Sequence, residues 1–341
     1  MSRLSLVNQA RWQRFRQNRR GYWSLWLFAL IFVLCLGAEL LANDKPLLLH
    51  YQDRWYAPLL FNYSESDFGG ELATAADYQD PWLKQRLAQH GWALWAPIRF
   101  GDNTINFATD VPFPSPPSAQ NWLGTDANGG DVLARILYGT RISLLFGLML
   151  TLISSVIGIM VGAIQGYFGG KVDLFGQRII EVWSGMPTLF LIILLSSVIQ
   201  PGFWWLLAIT VAFGWMSLVG VVRAEFLRTR NFDYIRAATA LGVSDSRIML
   251  RHMLPNAMVA TLTWLPFILC GSITTLTSLD FLGFGLPLGS PSLGELLLQG
   301  KNNLQAPWLG LAGFFTLAIL LSLLIFIGEA VRDAFDPAKM S

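Results

Sequence analysis

The chain has 341 residues, of which 53% are hydrophobic and only 13% are charged. Soluble domains carry about 25% charged residues, so this composition excludes an ordinary soluble domain and indicates a membrane protein. The net charge of +2 argues neither for nor against a nucleic-acid partner, and we expect none.

The first 20 residues form a basic segment with six arginines and no acid. Basic loops stay in the cytoplasm, so residues 1–21 are predicted to be a cytoplasmic N-terminus. The apolar run that follows, 22–41, is longer than the core of a secretory signal peptide, and Leu40 is too large for a standard cleavage site. We therefore predict that this run is a retained transmembrane helix.

Residues 42–141 form a long connection, which the topology places outside the membrane. The connection is rich in tryptophan, whereas disordered tethers are poor in aromatic residues, so part of it is predicted to fold. Two interpretations stay open. The insertion either caps the membrane domain or provides a docking surface for an external partner.

The stretch NWLGTDANGGDVLARILYGTRISL, residues 121–144, leads from the insertion into the membrane. From Asp131 onwards, apolar side chains recur at helical spacing, which predicts a short amphipathic helix at the interface before the second span. Asp131 suits the positive end of the dipole of that helix. Gly129 and Gly130 provide the turn that leads into it.

Six apolar runs reach the roughly 20 helical residues that a bilayer core requires. The fourth run follows the third after Gln200, Pro201 and Gly202, a tight turn that makes these two spans antiparallel. Six spans leave residues 329–341 in the cytoplasm, where the N-terminus also lies. After the first span, the others are predicted at 142–163, 179–199, 203–222, 257–281 and 308–327, within a five-helix core of residues 142–328.

Small and polar residues in two of the spans have two interpretations each. Gly158, Gly162 and Gly166 recur every four residues, which allows close packing of helices in lipid. We favour packing within the chain over a subunit interface. The hydroxyl and acidic residues late in the fifth span either bond their own surroundings or line a polar pathway, and Thr277 and Asp280 are the pathway candidates.

Several kinds of chemistry are not predicted. Neither Gly170-Lys171 nor Gly300-Lys301 is followed by Ser or Thr, so the chain has no P-loop for ATP and is not expected to be an enzyme. The middles of the spans are almost free of ionisable residues, which argues against a proton relay. Two cysteines and three scattered histidines predict no metal site and no disulfide framework, and no cofactor is expected.

Residues 233–256 are a polar segment between two apolar runs, with six arginines and three acids in 223–256. The pattern predicts a helix from Asp233, a left-handed turn at Gly242, and a second helix capped by Ser244. Pro255 is expected to bias Leu254 away from helix at the entry to the fifth span. A loop held only by lipid headgroups would explain the arginines but not the spacing of the small residues.

This segment resembles the EAA loop of binding-protein-dependent ABC importer permeases. The matching spacing is Ala237-Ala238, Gly242, and then RHMLPN from Arg251 to Asn256. Arg236 occupies the position of the glutamate in the motif name, and the RH-aliphatic-LPN ending is typical of the dipeptide/oligopeptide branch. WLGTDANGGDVLARILYGTRISL, LDFLGFG and FIGEAVRDAFDP resemble the same branch, although relatives usually have Gly-Arg-Asp where this chain has Gly129-Gly130-Asp131. The long insertion is similar to that of the second permease of the Yej-type peptide importers.

The resemblance implies an all-α polytopic protein with the type I ABC importer permease fold, six transmembrane helices and a large periplasmic insertion between the first two. It implies a multi-pass subunit of the bacterial inner membrane, paired with a second homologous permease, with ATP-binding subunits and with a periplasmic peptide-binding protein. The implied cargo is oligopeptides, with peptide–nucleotide antibiotics of the microcin C kind as a further candidate. The alternatives are a permease for nickel or a sugar, and a membrane scaffold without transport.

The resemblance also assigns roles to residues of this chain. Contact with the ATPase would be made by Ala237, Ala238, Gly242 and Pro255, together with the polar Asp233, Arg236, Arg247 and Arg251. The motif on the periplasmic side would comprise Gly124, Asp126 and Asp131.

Overall fold

The apolar runs fold as helices in the computed structural model, which describes residues 6–107, 111–196, 198–287 and 289–335. Predictions about residues 1–5 and 336–341, including the end of FIGEAVRDAFDP, lie outside the described residues. Among those that are described, five helical stretches are long and apolar enough to cross a membrane, and a bent pair of helices provides a sixth candidate. The five are Arg19–Leu36, Val132–Phe168, Phe203–Thr229, Asp245–Phe281 and Pro307–Phe335.

The described residues are mostly helical and contain three short strands. A single turn of 3₁₀-helix covers Glu65–Phe68, and a π-helical segment covers Ile248–Met253. The elements are α1 (Leu6–Gln17), α2 (Arg19–Leu36), α3 (Ala38–Leu41), β1 (Leu48–Tyr51), β2 (Arg54–Tyr56), α4 (Pro81–His90), β3 (Gly91–Leu94), α5 (Val132–Phe168), α6 (Gly170–Ser184), α7 (Thr188–Ser196), α8 (Phe203–Gly214), α9 (Met216–Thr229), α10 (Asp233–Ala240), α11 (Asp245–Arg247), α12 (Leu254–Phe281), α13 (Leu293–Asn302) and α14 (Pro307–Phe335).

The start of the second span differs from the prediction. A separate interfacial helix before residue 142 was expected, but α5 is one continuous helix of 37 residues. No proline interrupts the stretch after Asp131, and Gly139 is held closely, because a Cβ there would lie 3.2 Å from backbone atoms of Ser292. The amphipathic first turns therefore continue directly into the apolar part of the same helix.

The third span also differs from the prediction, which was a single span over 179–199. Helix α6 begins earlier, at Gly170, and α7 follows it at an angle of 59°. The break lies at Gly185, Met186 and Pro187, where proline has no N–H for the helical ladder and its ring clashes with the preceding turn.

The chain folds as two units. We call Met1–Ala29, Leu144–Pro287 and Ala318–Ser341 the helical unit, and Leu30–Ser143 with Leu288–Leu317 the mixed unit.

The mixed unit contains a three-stranded antiparallel sheet in the order β2-β1-β3. The predicted folding of the insertion is confirmed, but tryptophans do not make its core. The buried cluster is built around Tyr51 and Phe68, whereas Trp55 and Trp92 are 61% and 50% exposed. On one face of the sheet, His50 pairs in register with both of these tryptophans. We call Trp55, His50 and Trp92 the aromatic row.

In the helical unit, close packing between α5 and α9 explains the row of glycines. A Cβ on Gly158 would lie 2.5 Å from the carbonyl oxygen of Trp215, and a Cβ on Gly162 would lie 2.8 Å from that of Val219. Gly166 similarly faces Phe226, with 2.5 Å to its Cβ. These glycines therefore pack within the chain, which is the interpretation that the sequence favoured.

Candidate functional site

The 233–256 segment adopts the predicted helix, turn and helix. Helix α10 begins at Asp233 and ends at Ala240, and Gly242 follows with a φ of +76°. Glycine takes this left-handed conformation without a Cβ penalty. Ser244 occupies the cap position of α11 with an extended backbone, but its side chain makes no capping hydrogen bond.

The second half of the segment differs from the prediction. Leu254 does not leave the helix before Pro255, since its φ and ψ are −55° and −42°. The preceding residues form a π-helix, in which the N–H of Leu254 bonds the carbonyl of Met249, five residues back. Pro255 therefore lies at the start of α12, directly after the π-helical segment. Helix continues without interruption from Asp245 to Phe281.

One face of the segment is anchored in the helical unit. Ile235, Ile248 and Met253 are at most 3% exposed, and they pack in one cluster with residues of α5 and α9. Ala238 adds to this cluster, whereas Ala237 is exposed. The two alanines that the motif treats as a pair therefore have different roles in this fold, the first at the surface and the second in packing.

Other side chains of the segment are apolar and exposed. Leu241 is 83% exposed and Leu250 66%, and Tyr234 is 46% exposed. A Cβ on Gly242 would meet no atom within 4 Å. Exposed apolar side chains can serve as anchors at an interface between proteins, so we treat these three as candidate contacts with another protein. None of these three side chains was predicted from the sequence, because the recognisable pattern of the segment consists of small and charged residues.

The polar candidates Asp233, Arg236, Arg247 and Arg251 are all exposed. In the described part of the chain none of the four forms an ion pair. Their charges are thus available to groups outside the chain.

Two contacts tie the segment and its neighbours together, and the sequence analysis missed both. The Oη of Tyr167, near the end of α5, donates to Oδ1 of Asp245 at 2.6 Å. Arg223 of α9 forms a two-pronged ion pair with Asp173 of α6, with Nη2 to Oδ2 at 2.6 Å. The partners are 78 and 50 residues apart, and no local pattern in one sequence connects them.

The motif of the mixed unit forms a buried polar network. The side chain of Asp126 is inaccessible and pairs with Arg135 of α5, which also donates to the carbonyl of Gly289. Asp131 accepts from the N–H of Ala134 at 2.8 Å and therefore caps α5, as its predicted position at the helix start requires.

Burial controls the protonation of two carboxyls in this network. Burial raises the pKa of Asp131, against the hydrogen bonds from Ala134 and Asn121, which lower it. Burial likewise raises the pKa of Glu295 on α13, although the guanidinium of Arg135, at 3.7 Å, favours its charged form. The network therefore contains carboxyls whose charge is costly.

Gly124 lies where the loop comes close to other backbone. Its φ is +78°, and a Cβ there would lie 2.6 Å from the carbonyl oxygen of Ser115 and 2.9 Å from Nε1 of Trp308. That indole donates to the carbonyl of Thr125 at 3.2 Å. Gly124, Asp126 and Asp131 are thus brought together around one loop.

Thr277 and Asp280 are buried within the chain, at 4% and 7% exposure. The hydroxyl of Thr277 bonds the carbonyl of Ile273 in its own helix at 2.9 Å. A carboxylate oxygen of Asp280 accepts the N–H of Leu286 at 2.8 Å and so holds the turn after α12. These contacts are structural, and the pathway role of the two residues stays a prediction.

The chain matches the family described as the binding-protein-dependent transport system inner membrane component over residues 154–341, and the N-terminal transmembrane domain of oligopeptide transport permease C over residues 5–81. The chain belongs to the first family and is a multi-pass inner-membrane protein.

Among its relatives, the chain is 83% identical to the inner membrane ABC transporter permease protein YejE of Escherichia coli K12, over 99% of each chain. It is 54% identical to the peptidoglycan transport system permease protein YejE of Agrobacterium fabrum, over 98% of this chain and 94% of that one. It is 36% identical to the dipeptide transport system permease protein DppC of Bacillus subtilis, over 65% and 70%. The resemblance drawn from the motifs is confirmed.

A solved structure of the MetNI methionine ABC transporter, in an inward-facing conformation, matches with a TM-score of 0.50 and 16% identity. The match covers 59% of this chain and 96% of that chain. At this identity the likeness concerns the fold alone, and together with the family it confirms the type I ABC importer permease fold.

Proposed function

We propose that the chain is the permease subunit of an ABC importer that moves oligopeptides across the inner membrane, with ATP hydrolysed by partner subunits. The observation that carries the proposal is the 83% identity to an ABC transporter permease over the whole chain. Relatives named as dipeptide and oligopeptide permeases support a peptide cargo. An exposed and partly apolar 233–256 segment supports docking to an ATPase.

The proposed assembly has a second homologous permease, ATP-binding subunits and a periplasmic peptide-binding protein. The 233–256 segment docks in a cleft of one ATP-binding subunit, through Leu241, Ala237 and the unpaired arginines. Both termini lie in the cytoplasm, because the basic N-terminal residues stay on that side. The aromatic row of the insertion is our candidate contact for the binding protein, since large exposed aromatic side chains are typical anchors of protein interfaces.

Closure of the ATPase pair moves the two docked segments of the permease pair together. In this chain, the movement passes from α10 and α11 to α5 and α9 through the buried cluster around Ile235 and Ile248 and through the Tyr167–Asp245 hydrogen bond. The spans then favour an outward-open arrangement, and hydrolysis reverses it. Coupling between two sites is reciprocal, so loaded binding protein outside raises ATPase activity inside.

The alternatives differ in cargo or in class. A permease for nickel or a sugar would share the architecture but would be stimulated by a different binding protein. A scaffold without transport would bind partners but would show no nucleotide-dependent conformational change. The names of the relatives favour peptides over both alternatives.

The test is affinity purification of the tagged chain in mild detergent, followed by identification of the proteins that accompany it. We expect ATP-binding subunits, one homologous permease and a peptide-binding protein. The reconstituted complex should hydrolyse ATP faster with loaded binding protein, and import of a linear peptide and of a peptide–nucleotide conjugate can then be compared. Appreciable ATP hydrolysis by the isolated chain, or copurification without any ATPase, would overturn the proposal.

A further inference from the structure

A cavity of about 850 Å³ in the helical unit lies next to the 233–256 segment. Its walls come from α1, α9, α10, the π-helical segment, α12 and α14, so parts of the chain that are far apart in sequence converge on it. One carboxylate, that of Glu225, lines it. The cationic and titratable nitrogen groups in its walls are those of Arg11, Arg228, Arg251, His252 and Arg332.

Positively charged side chains outnumber negatively charged ones in the lining of the cavity. Glu225 is already paired, because its Oε1 accepts from Nη2 of Arg228 at 2.6 Å. Within the described residues, no carboxylate forms an ion pair with Arg11, Arg251 or Arg332. Like charges that converge repel one another, so an anion that enters the cavity gains attraction from several guanidinium groups at once.

Arg11 provides a second and independent observation. Among the residues that the structure describes, its buried Nε has no hydrogen-bond partner, and its Nη1 donates to the side-chain oxygen of Asn8 at 3.4 Å. The guanidinium is held over the ring of Phe335, 4.5 Å from the ring centre. A buried donor without a partner is costly, and here it belongs to a side chain that is fixed in place.

The chemistry of the lining selects the ligand class. Planar guanidinium groups match the oxygens of phosphate in pairs. The same cavity has apolar walls at Val259 and Phe335, next to the ends of helices that are long enough to span a membrane. Basic pockets between transmembrane helices on the cytoplasmic side are typical sites for anionic lipid headgroups.

We propose that this cavity is a binding site for a phosphate-bearing anion, supplied either by an anionic phospholipid headgroup or by a soluble phosphate. Occupancy links α1 and α14 to the 233–256 segment through Arg11, Arg332 and Arg251, and so holds the segment against the helical unit. Only the placement of the cavity on the cytoplasmic side rests on the proposed function. The binding itself does not.

The test uses the purified full-length chain in lipid nanodiscs, without ATPase or peptide. One preparation contains phosphatidylcholine alone, a second contains an equimolar mixture with phosphatidylglycerol, and a third contains phosphatidylcholine with inorganic phosphate in the buffer. Thermal unfolding is followed by tryptophan fluorescence. We expect a higher Tm in the second preparation if the headgroup is the ligand, and in the third if soluble phosphate is. An unchanged Tm in both would overturn the proposal.

A double variant tests whether the rise in Tm comes from anion binding in this cavity. Arg11→Gln with Arg332→Gln removes two cavity cations, and since a hydrogen bond to a charged group contributes about tenfold to binding, the anion concentration for half the effect should rise roughly 100-fold. The control, Arg16→Gln with Arg20→Gln, removes the same charge from α1 and α2 outside the cavity and should respond like the wild type. Equal responses of the two variants would overturn the assignment to this cavity. Copurification of the ATPase is scored separately, so its failure would affect only the proposed function.

Discussion

The Oη of Tyr167 donates to Oδ1 of Asp245 at 2.6 Å, and this hydrogen bond joins the end of α5 to the start of α11. Tyr167 also packs against the buried cluster that anchors the 233–256 segment. The segment is therefore joined to α5 by a polar contact as well as by apolar packing, and in the proposed mechanism both would pass its movement to that helix.

Removal of that hydrogen bond should weaken coupling without dismantling the fold. Tyr167→Phe keeps the ring in the cluster and deletes only the hydroxyl, which contributes about 1 kcal/mol. We expect peptide uptake per ATP hydrolysed to fall severalfold in reconstituted vesicles, with normal copurification of the ATPase. Tyr138→Phe, which removes the hydrogen bond from Oη to the carbonyl of Ala42 in the mixed unit, is the control. A wild-type ratio of uptake to hydrolysis in Tyr167→Phe would argue against this route.

The turn at Gly242 should tolerate asparagine but not valine. Its φ of +76° costs an ordinary L-residue about 1–2 kcal/mol, and a β-branched side chain is the least suited to it. Because a Cβ would meet nothing within 4 Å, the cost is one of backbone conformation rather than of a local clash. Gly242→Val should reduce ATPase docking and peptide uptake while the protein remains in the membrane.

Gly242→Asn is the matched control, since asparagine adopts left-handed conformations more readily. Its uptake should stay close to that of the wild type. Normal uptake with valine would contradict the assignment of the segment to coupling.

The buried ion pair in the mixed unit should be far more sensitive than an exposed one. In the Arg135–Asp126 pair the side chains are 5% and 0% exposed, whereas in the Arg141–Glu39 pair they are 23% and 42% exposed. Arg135→Met leaves the charge of Asp126 buried and unpaired, a loss of about 3–5 kcal/mol. Glu39→Gln should cost less than about 1 kcal/mol.

Thermal unfolding of the two variants in the same detergent provides the comparison. The double variant Arg135→Met with Asp126→Asn should recover part of the loss, because it removes the unpaired charge. Similar melting temperatures for Arg135→Met and Glu39→Gln would show that the network contributes little to stability.

Glu295 predicts a dependence of stability on pH. Burial raises its pKa in the folded chain, so the folded state holds this proton to higher pH than the unfolded state does. The group therefore lowers the stability as pH rises from the unfolded pKa, about 4.3, through the raised folded value. Above that range the destabilising contribution is complete, and below it the contribution is absent.

Glu295→Gln should accordingly be more stable relative to the wild type at neutral pH than at acidic pH. Melting temperatures of both proteins across the acidic to neutral range test this, and the difference between them removes the contribution of the other acids. A difference that stays constant with pH, or that changes in the opposite direction, would contradict the assignment.

The aromatic row tests the two interpretations of the insertion. The rings of His50 and Trp55 lie 4.9 Å apart and those of Trp55 and Trp92 5.5 Å apart. If the row contacts the binding protein, Trp55→Ala with Trp92→Ala should lower the stimulation of ATPase by loaded binding protein about tenfold or more relative to the basal rate of the same variant. Trp82→Ala, another exposed tryptophan of the insertion, should not. Unchanged stimulation in the double variant would favour a cap.

Local sequence patterns were enough to predict the class of protein, and also the helix from Asp233 and the turn at Gly242 that begin the 233–256 segment. Runs of apolar residues suffice to predict spans, because a bilayer requires a minimum helical length whatever the neighbours are. The turn at Gly242 is equally local, since the left-handed backbone favours glycine wherever it occurs. Motif spacing was enough for the family, which the relatives confirm.

Contacts between residues far apart in the sequence could not be predicted in this way and became visible only in the folded chain. The Tyr167–Asp245 and Arg223–Asp173 contacts join residues 78 and 50 positions apart, and the polar network around Arg135 reaches Gly289, 154 positions away. Pro255 shows the same limit in a local setting. The expectation that proline disfavours helix at the preceding residue was wrong for Leu254, because a π-helical segment keeps Leu254 in the helix. The stability of such arrangements depends on the total energy of many long-range contacts, and a short stretch of sequence does not reveal that total.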